Sequence, residues 1–201
     1  HDALPIFLGT GTIGLFAILI AKGMGARTVI GIEPNPHHQE LARRLGCDIV
    51  IGPGKAPEDR PYAADAQLCE QLRSVTNGYG VDVSMEMAGF DSSINNAIQI
   101  TRRGGTVVLF GVRNGNAILE DAHRVVMNGL QLHGVVGRQI FQTWHMTKAL
   151  LEHRANGIHD AIWNTILNRG DGPLVDIKEW ERDPFEKIIR RHPKVLIRFD
   201  G

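Results

Sequence analysis

Leu8-Gly9-Thr10-Gly11-Thr12-Ile13-Gly14 constrains what this chain can fold into more than any other stretch. It is a G-x-G-x-x-G between an apolar run, Ile6 to Leu8, and an apolar stretch of helical period, Leu15 to Ala21. Three glycines in six residues also occur in ordinary turns, so the pattern alone is weak. Its setting supplies the rest. A strand leads in, a helix leads out, and an acid, Glu33, closes the next apolar run 19 residues after the last glycine (33 − 14 = 19). That is the layout of a dinucleotide-binding turn.

Each glycine has its own expected task. Gly9 allows the tight turn out of the strand, Gly11 has no Cβ to hold a pyrophosphate away from the backbone, and Gly14 lets the helix lie close to the sheet. The helix amides, with Thr12 and Ile13 in the first turn, then face the diphosphate. Glu33 accepts from a ribose diol, and its charge repels a 2′-phosphate. NAD is therefore expected over NADP, because Pro34-Asn35-Pro36-His37-His38 offers no Arg or Lys for that phosphate. Two alternatives stay open at this point: a helix-capping glycine turn without a ligand, and an S-adenosylmethionine site, which also uses a glycine-rich turn after a first strand.

Strand and helix signals alternate along most of the chain. Strands are expected at Leu4–Leu8, Arg27–Ile32, Cys47–Ile51, Val81–Met87, Gly105–Val112 and Leu130–Val136. Helices are expected at 12–24, 36–45, 66–75, 91–100, 121–127 and 141–153, with Asp91 or Ser92 capping the fourth. Residues 52–66, rich in proline, glycine and charge, read as a surface loop, and Arg113-Asn114-Gly115-Asn116 as a turn cluster. The pattern implies an α/β fold: a doubly wound, six-stranded parallel sheet in the order 3-2-1-4-5-6, with the ligand at the carboxyl ends of strands one and four. The alternation then stops. Residues 1–157 are assigned to a Rossmann domain and 158–201 to a C-terminal segment.

Composition excludes several classes. Lys and Arg total 22 against 22 Asp and Glu, so no net field attracts nucleic acid or an anionic membrane. Cys47 and Cys69 are isolated, fit no zinc or redox spacing, and read as small core residues in a reducing cytoplasm. The apolar stretch Ile13–Ala21 is far short of the ~20 residues a membrane helix needs. No signal peptide is read, and the start directly on a strand leads us to expect that an upstream part is missing.

No metal set emerges: His37 and His38 are adjacent, and His145 and His153 lie eight apart. No serine has a nucleophile-elbow setting. Glu86, an acid inside an apolar strand, either faces the ligand crevice or is held by backbone amides. Arg138, after strand six, either meets a carboxylate or phosphate or pairs with a local acid.

The glycine turn, Glu33, Leu109-Phe110-Gly111-Val112 and Lys194-Val195-Leu196 together resemble the medium-chain, zinc-type alcohol dehydrogenase superfamily. Gly134-Val135-Val136-Gly137-Arg138-Gln139-Ile140-Phe141-Gln142-Thr143-Trp144 is similar to the segment that marks its L-threonine 3-dehydrogenase branch, as are Val83–Gly89 and Gly104-Gly105. The resemblance implies oxidation of a secondary alcohol such as that of threonine, with hydride passing to NAD. It also implies that Ile13 contacts the diphosphate, that Glu33 takes the ribose, and that His38 lies where the family commonly has Arg against the adenosine. Phe110, Gly111, Val112, Val135 and Val136 would line the nicotinamide side. Zinc and its ligands would belong to an N-terminal catalytic domain that this chain lacks, so no catalytic residue is assigned here and the chain alone is expected to bind NAD without turnover. The departures are Glu33 for the commoner Asp, His38 for Arg, and longer stretches at 52–66 and 158–176. A polyol dehydrogenase of the same superfamily and a non-catalytic NAD-sensing module remain alternatives. The strand 130–136 edge is expected to pair with its twin in a homodimer or tetramer.

Overall fold

The computed structural model describes residues 3–112, 115–137, 139–179 and 182–199. The chain forms two compact units, residues 1–138 and 139–201. The first unit begins with β1 (Pro5–Leu8), α1 (Thr12–Gly23), β2 (Ile30–Ile32), α2 (Pro36–Arg44), β3 (Ile49–Ile51) and α3 (Ala66–Val75). It continues with β4 (Val81–Glu86), α4 (Asp91–Ile100), β5 (Thr101–Leu109), α5 (Ala122–Met127) and β6 (Gln131–Gly134). All neighbouring strands pair in parallel, in the order β3-β2-β1-β4-β5-β6. This is the doubly wound sheet that the alternating pattern predicts.

β1 sits at the centre of the sheet, with Ile6 opposite Ile30 on one side and Ser84 on the other. All four of its residues are buried, which is why it reads as an unbroken apolar run instead of an alternation. Ile6, Leu8, Ile30, Ile32, Leu68, Leu72 and Val107 build the main core around it. Helix starts follow local chemistry. Asn35 caps α2 by accepting from the His37 amide, with Pro36 at the first helical position, and Asp65 caps α3 by accepting from the Leu68 amide.

Two local expectations are corrected. The cap of α4 is Phe90, which makes no side-chain capping bond; Asp91 already lies inside the first turn, where a negative charge complements the helix dipole. β5 runs from Thr101 to Leu109 instead of 105–112. Its early start arises because Thr101 pairs with Val81 ahead of a bulge. Its early end arises because the amides of Phe110 and Gly111 both turn to the Glu86 carbonyl.

The 52–66 loop is pinned at its end. The Asp65 carboxylate accepts from the Gly54 amide, and the Asp65 amide donates to Asn96 on α4. Asn95 donates to the carbonyls of Tyr62 and Ile118, so α4 holds the loops on both sides of it.

The second unit holds α6 (Gln142–Glu152), which the sequence pattern had grouped with the nucleotide fold. After it come α7 (Ile158–Ala161), which continues into a π-helical turn at Ile162–Ile166, then β7 (Leu174–Asp176), α8 (Arg182–Arg191) and β8 (Leu196–Arg198). β7 and β8 pair in parallel. Trp163 is 44% exposed, while Trp180, Arg113 and Asn114 lie outside the described residues. Among the described residues no helix is long and apolar enough to cross a membrane.

Candidate nucleotide site

The carboxyl ends of five adjacent strands, β2, β1, β4, β5 and β6, lie side by side along one edge of the sheet. At its centre the three glycines of the β1–α1 turn have three different surroundings. Gly9 takes φ +97°, and a Cβ there would lie 3.2 Å from Ala88. A Cβ on Gly14 would lie 2.1 Å from the Gly9 carbonyl oxygen, an impossible approach, so this glycine sets the contact between helix and turn. A Cβ on Gly11 would meet nothing within 4 Å. Packing therefore explains Gly9 and Gly14 but gives no reason for Gly11, whose missing side chain leaves open space at the amino end of α1. Gly11 also brings no side chain to cap that helix. The helix end and its dipole face the space where an anion would lie. Ile13 is half exposed and Thr12 exposed beside it.

On the β2 side, Glu33 is buried to 6% exposure and reaches back across the crevice. Its Oε2 accepts from the Thr10 amide at 2.8 Å and from the Thr10 hydroxyl at 3.3 Å, while Oε1 accepts from the Asn35 amide at 2.9 Å. A carboxylate offers about four acceptor positions. One remains at Oε1, and His38 stands near it with Nδ1 3.8 Å away and its side chain partly covered. The longer arm of Glu, compared with Asp, is what lets this acid close on the glycine turn.

On the other side of β1, Glu86 ends β4 with no exposed surface. Its Oε1 accepts from the amides of Ala88 and Gly89, each at 2.8 Å, and its carbonyl accepts from the amides of Phe110 and Gly111. Both sequence readings of this residue concerned its side chain. The backbone-bound one describes Oε1, whereas Oε2 has no hydrogen-bond partner among the described residues. A Cβ on Gly111 would lie 2.3 Å from the Gly89 amide nitrogen and 2.6 Å from that Oε2. The β4 and β5 end loops are therefore in direct contact. Beyond them the Val135 amide donates to the Leu109 carbonyl, placing Val135 and Val136 next to Phe110, Gly111 and Val112. Val112 and Val136 are 89% and 96% exposed.

Residues separated by up to 127 positions (136 − 9 = 127) thus form one row from Glu33 to Val136. Four strand spacings of about 4.8 Å give it a length of roughly 19 Å, suited to an extended ligand laid across the sheet.

The sequence reading missed a pocket of about 220 Å³ beside the turn. Gly9, Pro34, Pro53, Gly54, Ala88 and Phe90 are among its walls, and it is mostly apolar, suited to a flat ring. Its walls come from loops after four different strands, which no local motif marks. The rule that ligands sit beyond strand carboxyl ends was the available signal. Arg138 lies outside the described residues. Among the described residues no three His, Cys, Asp or Glu side chains gather to hold a metal ion, so a zinc centre does not fit these residues.

Residues 12–153 match the family described as zinc-binding dehydrogenase. L-threonine 3-dehydrogenase of Symbiobacterium thermophilum is 34% identical over 145 residues, covering 72% of this chain and 38% of that protein. 2R,3R-butanediol dehydrogenase of Bacillus subtilis superposes on 99% of this chain with a TM-score of 0.72 at 20% identity, using 51% of its own length. A short chain alcohol dehydrogenase of Escherichia coli, solved with NADH, superposes on 74% of this chain and 42% of its own with a TM-score of 0.60 at 18% identity. The chain spans well under half the length of the curated relatives that it matches.

Proposed function

The chain belongs to the zinc-binding dehydrogenase family, and we propose that it forms the part that binds NAD while a secondary alcohol, threonine or a similar substrate, is oxidised. The observation that carries this reading is the contrast between Gly11 and Gly14. One glycine is required by packing, and the other is required only if something occupies the space beside it. NAD, when bound, supplies the hydride acceptor.

The chain's own residues would bind and orient it. The amino end of α1 would meet the diphosphate above Gly11. Glu33 would give its remaining acceptor position to a ribose hydroxyl, and its charge, with no Arg or Lys in residues 34–38, disfavours a 2′-phosphate. The pocket walled by Pro34, Pro53 and Phe90 would take the adenine. Phe110 to Val112 with Val135 and Val136 would bound the nicotinamide. The similarity to a threonine dehydrogenase supports that substrate over a polyol. No zinc donor set gathers among the described residues, so these residues are assigned binding of NAD without turnover.

Calorimetric titration tests the reading. NAD should bind in the micromolar range, a free energy of about −8 kcal/mol, and NADP more weakly. Gly11→Ala should leave the melting temperature unchanged and reduce NAD affinity by roughly tenfold or more. Binding of neither nucleotide, tighter binding of NADP, or undiminished binding to Gly11→Ala would each overturn it. We propose further that β6, one of the two edge strands of the sheet, pairs with its copy in a second chain, in a dimer or tetramer.

A further inference from the structure

A second cavity, of about 510 Å³, opens at the opposite, amino edge of the same sheet. Gly78, Tyr79 and Gly80 line it on the way into β4, and Thr101, Arg102 and Arg103 line it at the start of β5. Arg73 in the last turn of α3 and Arg124 on α5 bring the arginines along it to four. Among the described residues no carboxylate lines it.

The backbone that presents two of these arginines is specifically shaped. Val81 pairs with Thr101 and Val83 with Thr106, so Arg102–Gly105 bulges out of register. Gly104 takes φ +68°, and a Cβ on Gly105 would lie 2.5 Å from Thr101 Cγ2 and 2.9 Å from two carbonyl oxygens. Bulges of this kind re-aim side chains at a sheet edge.

The four guanidinium groups divide by what they already hold. Arg102 donates to Asp82 at 2.6 Å and to the Arg103 carbonyl at 2.8 Å. Arg124 donates to the carbonyls of Ile98 and Gln99 and satisfies the last turn of α4, an ordinary use of a cation at a helix end. Arg73 stands 3.7 Å from Glu70 on its own helix, with both side chains well exposed. Such a pair is weak. Arg103 is exposed and its side chain has no ion pair or hydrogen bond among the described residues. Of the other nearby acids, Asp82 is held by Arg102 and Asp121 accepts from Gln99. Helix capping thus accounts for Arg124, and the Asp82 pair for Arg102. Arg73 and Arg103 are left on one cavity with five-donor forks suited to phosphate oxygens. Tyr79 adds a ring that is 75% exposed at the same place.

We propose that this cavity binds a sugar phosphate monoester that also bears a flat base, that is, a mononucleotide, with its phosphate on Arg103 and Arg73 and its base against Tyr79. The site is separate from the crevice at the carboxyl edge and does not depend on the reading of that crevice.

Amide chemical shifts of the ¹⁵N-labelled protein, titrated with uridine 5′-monophosphate in the presence of excess NAD, test the assignment. The expected result is that Gly78 to Gly80 and Arg102 to Gly105 shift while Gly9 to Gly14 do not. Arg103→Gln should weaken binding by roughly tenfold, and Arg73→Gln with Arg103→Gln should abolish it. Both positions are exposed, and an otherwise unchanged spectrum shows that the fold is kept. Uridine and inorganic phosphate should each bind more weakly than the nucleotide. No shifts up to ~10 mM, beyond the millimolar range of one weak site, would overturn the proposal. So would shifts confined to the glycine turn, affinity unchanged in Arg103→Gln, or inorganic phosphate binding as tightly as the nucleotide.

Discussion

Glu33 and Glu86 stand at the carboxyl ends of β2 and β4, on either side of central β1, and both turn a buried carboxylate onto main-chain amides. Glu33 ties the β1 turn to the start of the loop after β2, and Glu86 ties the β4 loop to itself and, through its carbonyl, to the β5 loop. The difference lies in what is left over. Glu33 keeps slight exposure and a free acceptor position beside the crevice, whereas Glu86 has no exposure and one oxygen without a partner. The same chemistry therefore serves a mixed role on one side of β1 and a mechanical one on the other. The doubly wound fold places an acid at each position, and reach and burial decide what it does.

The largest expected effect breaks or upholds the mechanical half of this comparison. Glu86→Ala empties a fully buried position and removes the acceptor of the Ala88 and Gly89 amides, and should lower unfolding free energy by about 3 kcal/mol, measured by urea denaturation. Glu86→Gln, which keeps the acceptor, should cost roughly half as much. Glu33→Ala should behave the other way. It should cost only about 1 kcal/mol of stability, because Asn35 is exposed and truncating Glu33, which keeps slight exposure, opens the buried Thr10 amide to water, but about 2 kcal/mol of NAD affinity, near thirtyfold. If Glu33→Ala lost more stability than Glu86→Ala, or if NAD affinity were untouched, the distinction would fail.

The same contrast shows what could be read from the chain. Gly9, Gly11, Gly14 and Glu33 were legible because a turn, a helix start and a strand end fix their spacing in a single βαβ unit. The strand order followed from the alternation. The closing of Glu33 onto Thr10 was not legible, because a contact across 23 positions depends on side-chain reach that no spacing rule encodes. The start of β5 was hidden by Arg102-Arg103-Gly104-Gly105, a polar bulge that reads as loop. The pocket beside Gly9 was hidden because Gly9, Pro34, Pro53 and Phe90 belong to four separate loops.

A smaller effect separates the two ends of β4. Asp82, at its amino end, is partly buried, which opposes ionisation, but the hydrogen bond and charge of Arg102 and the Leu4 amide outweigh that and hold its carboxyl below the usual range. A lowered folded value means the stabilisation is present in full above the ordinary aspartate pKa of about 3.9 and is lost as pH falls below it. Asp82→Asn should cost about 1 kcal/mol at neutral pH and nothing in strong acid. A urea midpoint series across pH 2 to 7 checks this, and an equal deficit at both ends would refute it.

The smallest effect uses the two thiols as reporters, one in each half. Cys47 lies against Gly31 in the β2–β3 half, and Cys69 on α3 lies near Asn96 of α4. Burial pushes the Cys47 thiol up to about 12 and the Cys69 thiol up to about 11. Neither forms appreciable thiolate at neutral pH, so an aromatic disulfide reagent should leave both unmodified in the native chain, reacting only through opening. Weakening one tie should then expose one reporter. Glu33→Ala should speed modification of Cys47 more than that of Cys69, and Glu86→Ala should speed Cys69 more, with each site resolved by peptide mass. Equal acceleration at both cysteines in both variants would mean that the sheet opens as one unit, and that the two glutamates do not hold separate halves.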